Sequence, residues 1–271
     1  FNNRKTFLHG TIRGGSAHSQ NDFCGYLTRF LPLFEKRWNI VFRADSGYHN
    51  EKAFDLFSEH TATFFIKSPM SDSRTNFVLT SSALVWGPEV DGVSYSSYWT
   101  VTAAGTKFRE VYKRTRKEPN GQMSFGELTS FRYDCLSTND FTIEEADAFA
   151  VYNKRANIEN AIKELKEDYQ LGKIITDDFN ANDAITQMTI FAYMVVQFLK
   201  NEILPPKMNR MRLSTLRTQV FNVPGCLVHW ARREITRIQN VFITENCIAY
   251  ILKRLTQMKS WFLDPPLLFE N

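Results

Sequence analysis

The sequence predicts an α/β protein whose core is interrupted by a β-rich insertion and followed by a helical C-terminal region. Three observations predict this class. Strand and helix patterns alternate over residues 1–67, which favours a sheet covered by helices. Alternating runs rich in Ser, Thr, Val, Tyr and Trp occupy residues 68–141 and indicate antiparallel strands. Apolar residues then recur at helical spacing, so we place a core helix within residues 142–180 and the helical region at residues 181–271.

The composition is that of a globular protein. The chain has 271 residues, of which 43% are hydrophobic and 23% charged. These values exclude a disordered chain, a collagen-like fibre and a small disulfide scaffold. A net charge of +4 is too small to identify a partner. The four cysteines and five histidines show no spacing typical of a zinc or redox site.

No segment of the sequence indicates export or membrane insertion. Its start lacks the charged-then-apolar pattern of a signal peptide. The most apolar stretch, residues 188–199, is too short to span a bilayer. We therefore expect a cytoplasmic protein with reduced thiols and no membrane partner.

The first seventy residues alternate between short strands and helices. Strands are predicted at residues 7–13, 39–47 and 63–67, because each is a short apolar run bounded by turn residues. A helix is predicted over residues 21–37 from its apolar spacing. A second helix follows the middle strand, with Asn50 as its N-cap.

The insertion is predicted to be antiparallel. Residues 93–103 and 108–114 alternate polar with apolar or aromatic side chains, as in a half-buried strand. The Pro-Asn-Gly sequence at residues 119–121 predicts a hairpin turn.

The chain beyond Thr142 is predicted to be helical. Thr142 and Glu145 have the spacing of a capping box. The helix that they open can continue to Leu171, with Gly172 as its stop. Four further helices are predicted at about residues 183–201, 209–221, 225–238 and 245–262.

A polar stripe lies along the predicted helix after Thr142. At about 100° per residue, one stripe collects Tyr152, Arg155, Glu159, Lys163 and Lys166. A second, apolar stripe lies roughly 90° away. Helix geometry alone favours a simpler interpretation of the polar stripe, as the solvated face of an amphipathic helix.

The spacing of this stripe resembles a known catalytic signature. Tyr152, Arg155, Glu159 and Lys166 match Y-x-x-R-x-x-x-E-x-x-x-x-x-x-K, which resembles the signature of bacterial insertion-sequence DDE transposases of the IS-four type. RADSGY at residues 43–48 is similar to the second-Asp motif of the same family. Residues 211–238 resemble the C-terminal region of the related IS-thirteen-eighty group.

The resemblance implies an RNase H-like core and assigns roles to individual residues. It implies that Asp45 and Glu159 are catalytic carboxylates that hold the metal ions. The residues alone leave Asp45 open to a second interpretation, as a turn or helix cap. Tyr152, Arg155 and Lys166 are implied to hold the DNA strand near the cleaved end. Lys163 lies outside the signature and is expected to be a solvated neighbour or a weak phosphate contact.

The chemistry of these residue types agrees with that resemblance. Strand transfer needs in-line attack on a phosphodiester, first by water and then by a DNA 3′ hydroxyl. Asp and Glu provide the hard oxygen ligands that Mg²⁺ prefers, with Mn²⁺ as a substitute. The resemblance further implies a homodimer on paired transposon ends and a location at the bacterial nucleoid.

The first Asp of a DDE site has no counterpart in the sequence. The first Asp of the chain is Asp22, which is at a predicted helix start rather than on a strand. We therefore expect that the first strand precedes Phe1 in a longer protein and that this chain alone is inactive. The alternative is a decayed transposase that has lost this residue.

The C-terminal residues carry the excess positive charge. Residues 200–271 contain eleven Lys and Arg against five Asp and Glu, a net charge of +6. Arg clusters at residues 210–217 and 232–237 are expected on helices. They indicate either DNA contact or a solvated basic face.

Two rival functions remain open. A transposase-derived DNA-binding protein without catalysis would also lack the first Asp in its complete gene. A glycosidase-like hydrolase would use Asp45 and Glu159 as an acid and base pair, with an aromatic cleft and no metal. We rank this hydrolase below the other two functions.

Overall fold

The chain divides into two units in a computed structural model. The sheet unit comprises Gly14–Ala156, and the C-terminal unit comprises Phe1–Arg13 with Asn157–Asn271. The residues that the structure describes are 7, 10, 12, 14–17, 20–117, 130–222, 224–230, 233–238 and 245–263.

The sheet unit alternates helices and strands along the chain. Its helices are α1 (Phe23–Phe34), α2 (Glu51–Glu59), α3 (Asp72–Thr80) and α4 (Glu145–Asn153). Its strands are β1 (Val41–Ala44), β2 (Thr63–Ser68), β3 (Val93–Val101), β4 (Lys107–Arg116) and β5 (Phe131–Thr138). A 3₁₀ turn, Ser46–Tyr48, follows β1.

The five strands form one mixed sheet in the order β1-β2-β5-β4-β3. β1 and β2 are parallel, with Ala44 opposite Ile66. The other neighbours are antiparallel, and Ser68 of β2 lies opposite Cys135 of β5. This mixed sheet with its helices confirms the predicted α/β class. The two antiparallel runs predicted within residues 68–141 are β3 and β4, and together with β5 they extend the same sheet that β1 and β2 begin.

Two apolar clusters cover opposite faces of this sheet. On one face, Phe54 of α2 stacks on Phe64 at 4.5 Å between ring centroids and meets Phe108 edge-on at 5.1 Å. On the other face, Ala148 and Phe149 of α4 pack in a cluster with buried side chains of β2, β4 and β5. Burial of both faces fixes the strand register, because a slip of one residue would exchange the two faces.

Local signals in the first part of the chain are confirmed. The predicted helix over residues 21–37 is α1, and the predicted strands over 39–47 and 63–67 are β1 and β2. Asn50 caps α2, and its Oδ1 accepts a hydrogen bond from Lys52 N at 3.0 Å. The strand predicted at 7–13 and the turn predicted at 119–121 lie wholly or largely outside the described residues.

The C-terminal unit combines helices with a separate hairpin. Its longer helices are α5 (Ala156–Asp168, starting one residue before the unit), α6 (Phe179–Phe198) and α8 (Glu245–Leu263). Shorter turns fill the segment between α6 and the hairpin, namely π-helical Leu199–Ile203, 3₁₀ Pro206–Met208, α7 (Leu213–Leu216) and π-helical Arg217–Phe221. Helices are thus confirmed near 183–201 and 245–262, and the helix predicted over 209–221 is confirmed from Leu213 onward, because α7 continues without a gap into the π-helical turn that ends at Phe221.

The helix predicted over residues 225–238 is wrong. These residues form an antiparallel hairpin of β6 (Gly225–Trp230) and β7 (Arg233–Ile238). β-branched residues such as Val228 and Ile235 are opposite each other in its register and favour strands. Cys226 and its neighbour Leu227 are both exposed, so both faces of β6 reach solvent at this point.

The apolar stretch at residues 188–199 is confirmed as helical. Residues 188–198 form the second half of α6. Among the described residues, no helix has the length and apolar character needed to cross a membrane.

The aromatic stack on α2 yields a stability prediction. Phe54 is fully buried, so Phe54→Ala should lower the free energy of unfolding by about 3–5 kcal/mol through lost burial and a residual cavity. Urea denaturation measures this change. Phe141→Ala is the matched control, because Phe141 is 50% exposed. Equal losses for the two variants would contradict the assigned core.

Candidate active site

Asp45 follows directly after β1, and its side chain shapes the turn that begins there. Its Oδ1 accepts a hydrogen bond from Gly47 N at 3.0 Å and caps the 3₁₀ turn. The cap interpretation of Asp45 is therefore confirmed. The residue is nevertheless exposed, so the carboxylate of this cap is also accessible to a ligand.

Aromatic packing and a hydrogen bond hold the turn after Asp45. The ring of Tyr48 meets that of Phe23 at 4.9 Å between centroids. Gln20 Nε2 donates to His49 O at 2.7 Å. Both contacts come from α1 or the residues just before it, so α1 anchors the turn to the sheet unit.

A chain of polar side chains lies beneath the same turn. His49 Nε2 is 3.4 Å from Ser137 Oγ, which is 2.7 Å from Ser68 Oγ. The His49 ring also meets Phe54 edge-on at 5.1 Å. Burial, and next the charge of Arg74, lower the pKa of His49. His49 was not among the predicted site residues, and the sequence offers no signal for it beyond its nearness to Asp45.

The start of α4 differs from the predicted capping box. The residue before the helix is Glu144, whose side chain forms no capping hydrogen bond. Asp140 organises the preceding loop instead, because its Oδ1 accepts hydrogen bonds from Thr142 N at 2.9 Å and Ile143 N at 3.1 Å. The prediction that Thr142 and Glu145 form a capping box is wrong. Glu145 pairs with Arg109 of β4.

The single helix predicted from Thr142 to Leu171 is broken into two. α4 ends at Asn153 and α5 begins at Ala156. A turn closes between them, where Arg155 N donates to Tyr152 O at 2.9 Å. The predicted stripe therefore does not continue along one helix, because the 100° rotation per residue is interrupted there.

Tyr152 and Arg155 lie together at this break. The guanidinium carbon of Arg155 is 5.8 Å from the centroid of the Tyr152 ring. The Tyr152 side chain also packs against the cluster that contains Phe149. Both residues are half-buried, so each combines a packing contact with some access to solvent.

Helix α5 carries the other predicted site residues on its exposed side. Glu159, Lys163 and Lys166 are exposed, whereas Ala161 and Leu165 are buried. Lys163 Nζ lies 3.9 Å from Glu167 Oε1. A solvent-facing pair of this kind contributes little to stability.

A buried ion pair, missed in the sequence, fixes α5 within the C-terminal unit. Lys200 Nζ lies 3.3 Å from Glu164 Oε1, and both side chains are almost fully buried. Leu213 N also donates to Glu164 Oε1 at 3.3 Å. Burial, followed by the charge of Glu164, raises the pKa of Tyr169 and Tyr193. In the sequence, the available signal that Glu164 is buried was its position next to Leu165, an apolar residue that is itself buried.

The predicted site residues belong to two different units. Asp45, Tyr152 and Arg155 belong to the sheet unit, while Glu159 belongs to the C-terminal unit with Lys163 and Lys166. The pairing of Asp45 with Glu159 therefore stays a prediction.

The donor chemistry of the two predicted carboxylates fits a hard cation. Asp45 and Glu159 are exposed, and carboxylate oxygens are ligands that Mg²⁺ prefers. Within the part of the chain that the structure describes, no group of three or more His, Cys, Asp or Glu side chains could hold a metal ion.

Comparison with known proteins identifies one family match. A family model described as transposase DDE domain group 1 matches residues 1–260. No curated protein matches the sequence.

The lowered pKa of His49 predicts a pH dependence of stability. Its folded pKa lies below the ordinary value of about 6.5, so the unfolded chain binds more protons and stability falls as the pH drops below about 6.5. Glu110 and Glu51 oppose the effects of burial and Arg74. His49→Gln, which keeps hydrogen-bonding capacity without titrating, should lose less stability than the parent between about pH 7 and about pH 5.

Urea denaturation at a series of pH values measures this difference. His229→Gln is the control, because it makes the same substitution at an exposed histidine. An identical pH dependence in the parent and His49→Gln would show that His49 titrates alike in the folded and unfolded chains.

Proposed function

The chain belongs to the transposase DDE domain family, and we propose that it cleaves and transfers DNA strands at transposon ends by a metal-dependent DDE mechanism. The match to residues 1–260 confirms the DDE transposase family predicted from the motifs. The observation that carries the proposed mechanism is the exposed Asp45 carboxylate, held by a structured turn at the carboxyl end of a strand. Ligand sites of α/β sheets lie at such strand ends.

We propose an RNase H-like core for this chain, of the IS-four or IS-thirteen-eighty type. The parallel pair of β1 and β2 supports this proposal, since Asp45 follows the first of these two strands. The core would comprise residues 1–67 and the helical segment 142–180. Residues 68–141 would be the β-rich insertion, and residues 181–271 would be the C-terminal region, which contains the β6–β7 hairpin besides its helices.

Asp45 and Glu159 would be the catalytic carboxylates and would hold Mg²⁺, with Mn²⁺ as a substitute. A divalent ion bound by them would supply Lewis-acid stabilisation of the charge that develops on the phosphodiester. The hydrogen bond from Gly47 N would keep the Asp45 carboxylate oriented. The exposed position of Glu159 leaves it accessible to a DNA substrate.

Tyr152, Arg155 and Lys166 would bind the DNA strand near the cleaved end. Arg can bind phosphate through two hydrogen bonds and Lys as a point charge, whereas Tyr can stack on a base. Lys163 would add a weak phosphate contact at most. DNA at transposon ends and in the target would be the substrate, with the protein acting as a homodimer at the bacterial nucleoid.

A cleavage assay tests the two carboxylates. Protein expressed from the complete open reading frame is mixed with labelled duplexes that carry the DNA flanking that frame, with Mg²⁺, with Mn²⁺ or with a chelator. We expect nicking and joining only with a metal ion. Asp45→Asn and Glu159→Gln should each lower the cleavage rate by about a thousandfold or more, because each removes a charged metal ligand.

Matched carboxylate variants make this assay specific. Asp72→Asn and Glu167→Gln remove exposed acids of α3 and α5 and should cleave at the parent rate. Cleavage by Glu159→Gln at the parent rate would show that Glu159 is not catalytic. DNA binding by the complete protein without metal-dependent cleavage would favour the transposase-derived binding protein.

Salt dependence tests the proposed phosphate contact of Lys166. Lys166→Ala should reduce the slope of log affinity against log salt concentration by about 0.7–0.9, the value expected for one lost phosphate contact. Fluorescence anisotropy with the flanking duplex measures the slope. Lys36→Ala, at another exposed lysine, should keep the parent slope. An unchanged slope in Lys166→Ala would exclude a phosphate contact at this residue.

A further inference from the structure

We infer that Arg43 is a positioning residue that ties the strand leading to Asp45 to the helix end that carries Tyr152. Arg43 Nη1 donates a hydrogen bond to Val151 O at 3.3 Å, across 108 residues of sequence. This inference rests on the proposed function, in which Asp45, Tyr152 and Arg155 act on the same DNA. The contact lies entirely within the sheet unit.

The strand geometry places Arg43 and Asp45 on the same side of the sheet. Asp45 has an extended backbone, with φ −76° and ψ 178°, so the alternation of β1 continues through it. Residues two apart in an extended chain point to the same face. Phe42 and Ala44 occupy the alternate positions and pack in the aromatic cluster on the other face. The face shared by Arg43 and Asp45 is the one that α4 covers.

The end of α4 offers a suitable acceptor for Arg43. Val151 is among the last four residues of α4, whose carbonyls lack the usual helical partner. Arg155 N, which could continue the helical pattern to Val151 O, donates to Tyr152 O instead. A guanidinium at a helix C-terminus also interacts favourably with the helix dipole. Arg43 therefore binds the helix at the residue directly before Tyr152.

The opposite end of α4 is held independently. Arg109 of β4 pairs with Glu145 in the first turn and donates to Ile143 O at 2.6 Å through Nη1. Phe149 packs in the cluster beneath the middle of the helix. Loss of the Arg43 contact should therefore loosen the last turn and the break, at residues 151–156, without releasing the whole helix.

Amide hydrogen exchange and DNA affinity test this role on the 1–271 chain. In Arg43→Gln, exchange at residues 152–156 should accelerate about tenfold, while residues 147–149 keep the parent rate. Affinity for the flanking duplex should fall about tenfold, as expected for one lost charged hydrogen bond. Arg43→Lys keeps a cationic donor and should recover most of both changes. Arg29→Gln, at an exposed residue of α1, is the control.

A double-mutant cycle separates positioning from general stabilisation. If Arg43 acts through the break, Arg43→Gln should weaken DNA binding by less than about twofold once Arg155→Ala is present. Additive losses, or unchanged exchange at residues 152–156, would overturn the inference. A parent chain that binds no DNA would overturn the proposed function instead. The exchange measurement would then still decide whether Arg43 holds the end of α4.

Discussion

The double pairing of β2 is the constraint on which the sheet unit depends. This strand pairs parallel with β1 on one edge and antiparallel with β5 on the other. Phe64 and Ile66 contribute to the aromatic cluster on one face, while Phe65 contributes to the cluster beneath α4 on the other. The register of β2 thereby sets where β1 ends, and with it the position of Asp45. It also sets how α4 packs on the sheet. Because β2 is paired on both edges and buried on both faces, its neighbours have little freedom to shift.

Those parts of the fold that depend on local chemistry could be predicted from the sequence. The apolar run that ends at Asp45, the Asn50 cap and the periodicity of α1 each depend on neighbouring residues. The break between α4 and α5 could not be predicted, because helix-forming residues run through it and no Gly or Pro marks it. The β6–β7 hairpin was missed for a related reason. A short run of mixed apolar and basic residues fits both the helical and the strand periodicity, and pairing with a partner strand decides between the two structures.

The sequence indicated residue types for a candidate site, which stays a prediction, and it indicated none of the contacts around those residues. The motifs indicated Asp45 and Glu159, and the exposure of both residues is compatible with that assignment. The contacts that orient the surrounding elements join residues far apart in sequence. His49 and Ser137 are 88 residues apart, and Lys200 and Glu164 are 36 apart. Pairings of this kind follow from tertiary packing, on which a one-dimensional pattern carries no information.

The uneven burial of the four thiols has a practical consequence for the hairpin. All four cysteines are free, with Cys135 and Cys247 buried and Cys226 exposed. Burial also raises the pKa of Cys24 and Cys135, which disfavours their reactive thiolate forms. An alkylating dye or spin label should therefore attach first at Cys226 and report on β6 without engineering. The same accessibility makes that strand the place where oxidation in air would join two chains through a disulfide, so purified protein needs a reductant.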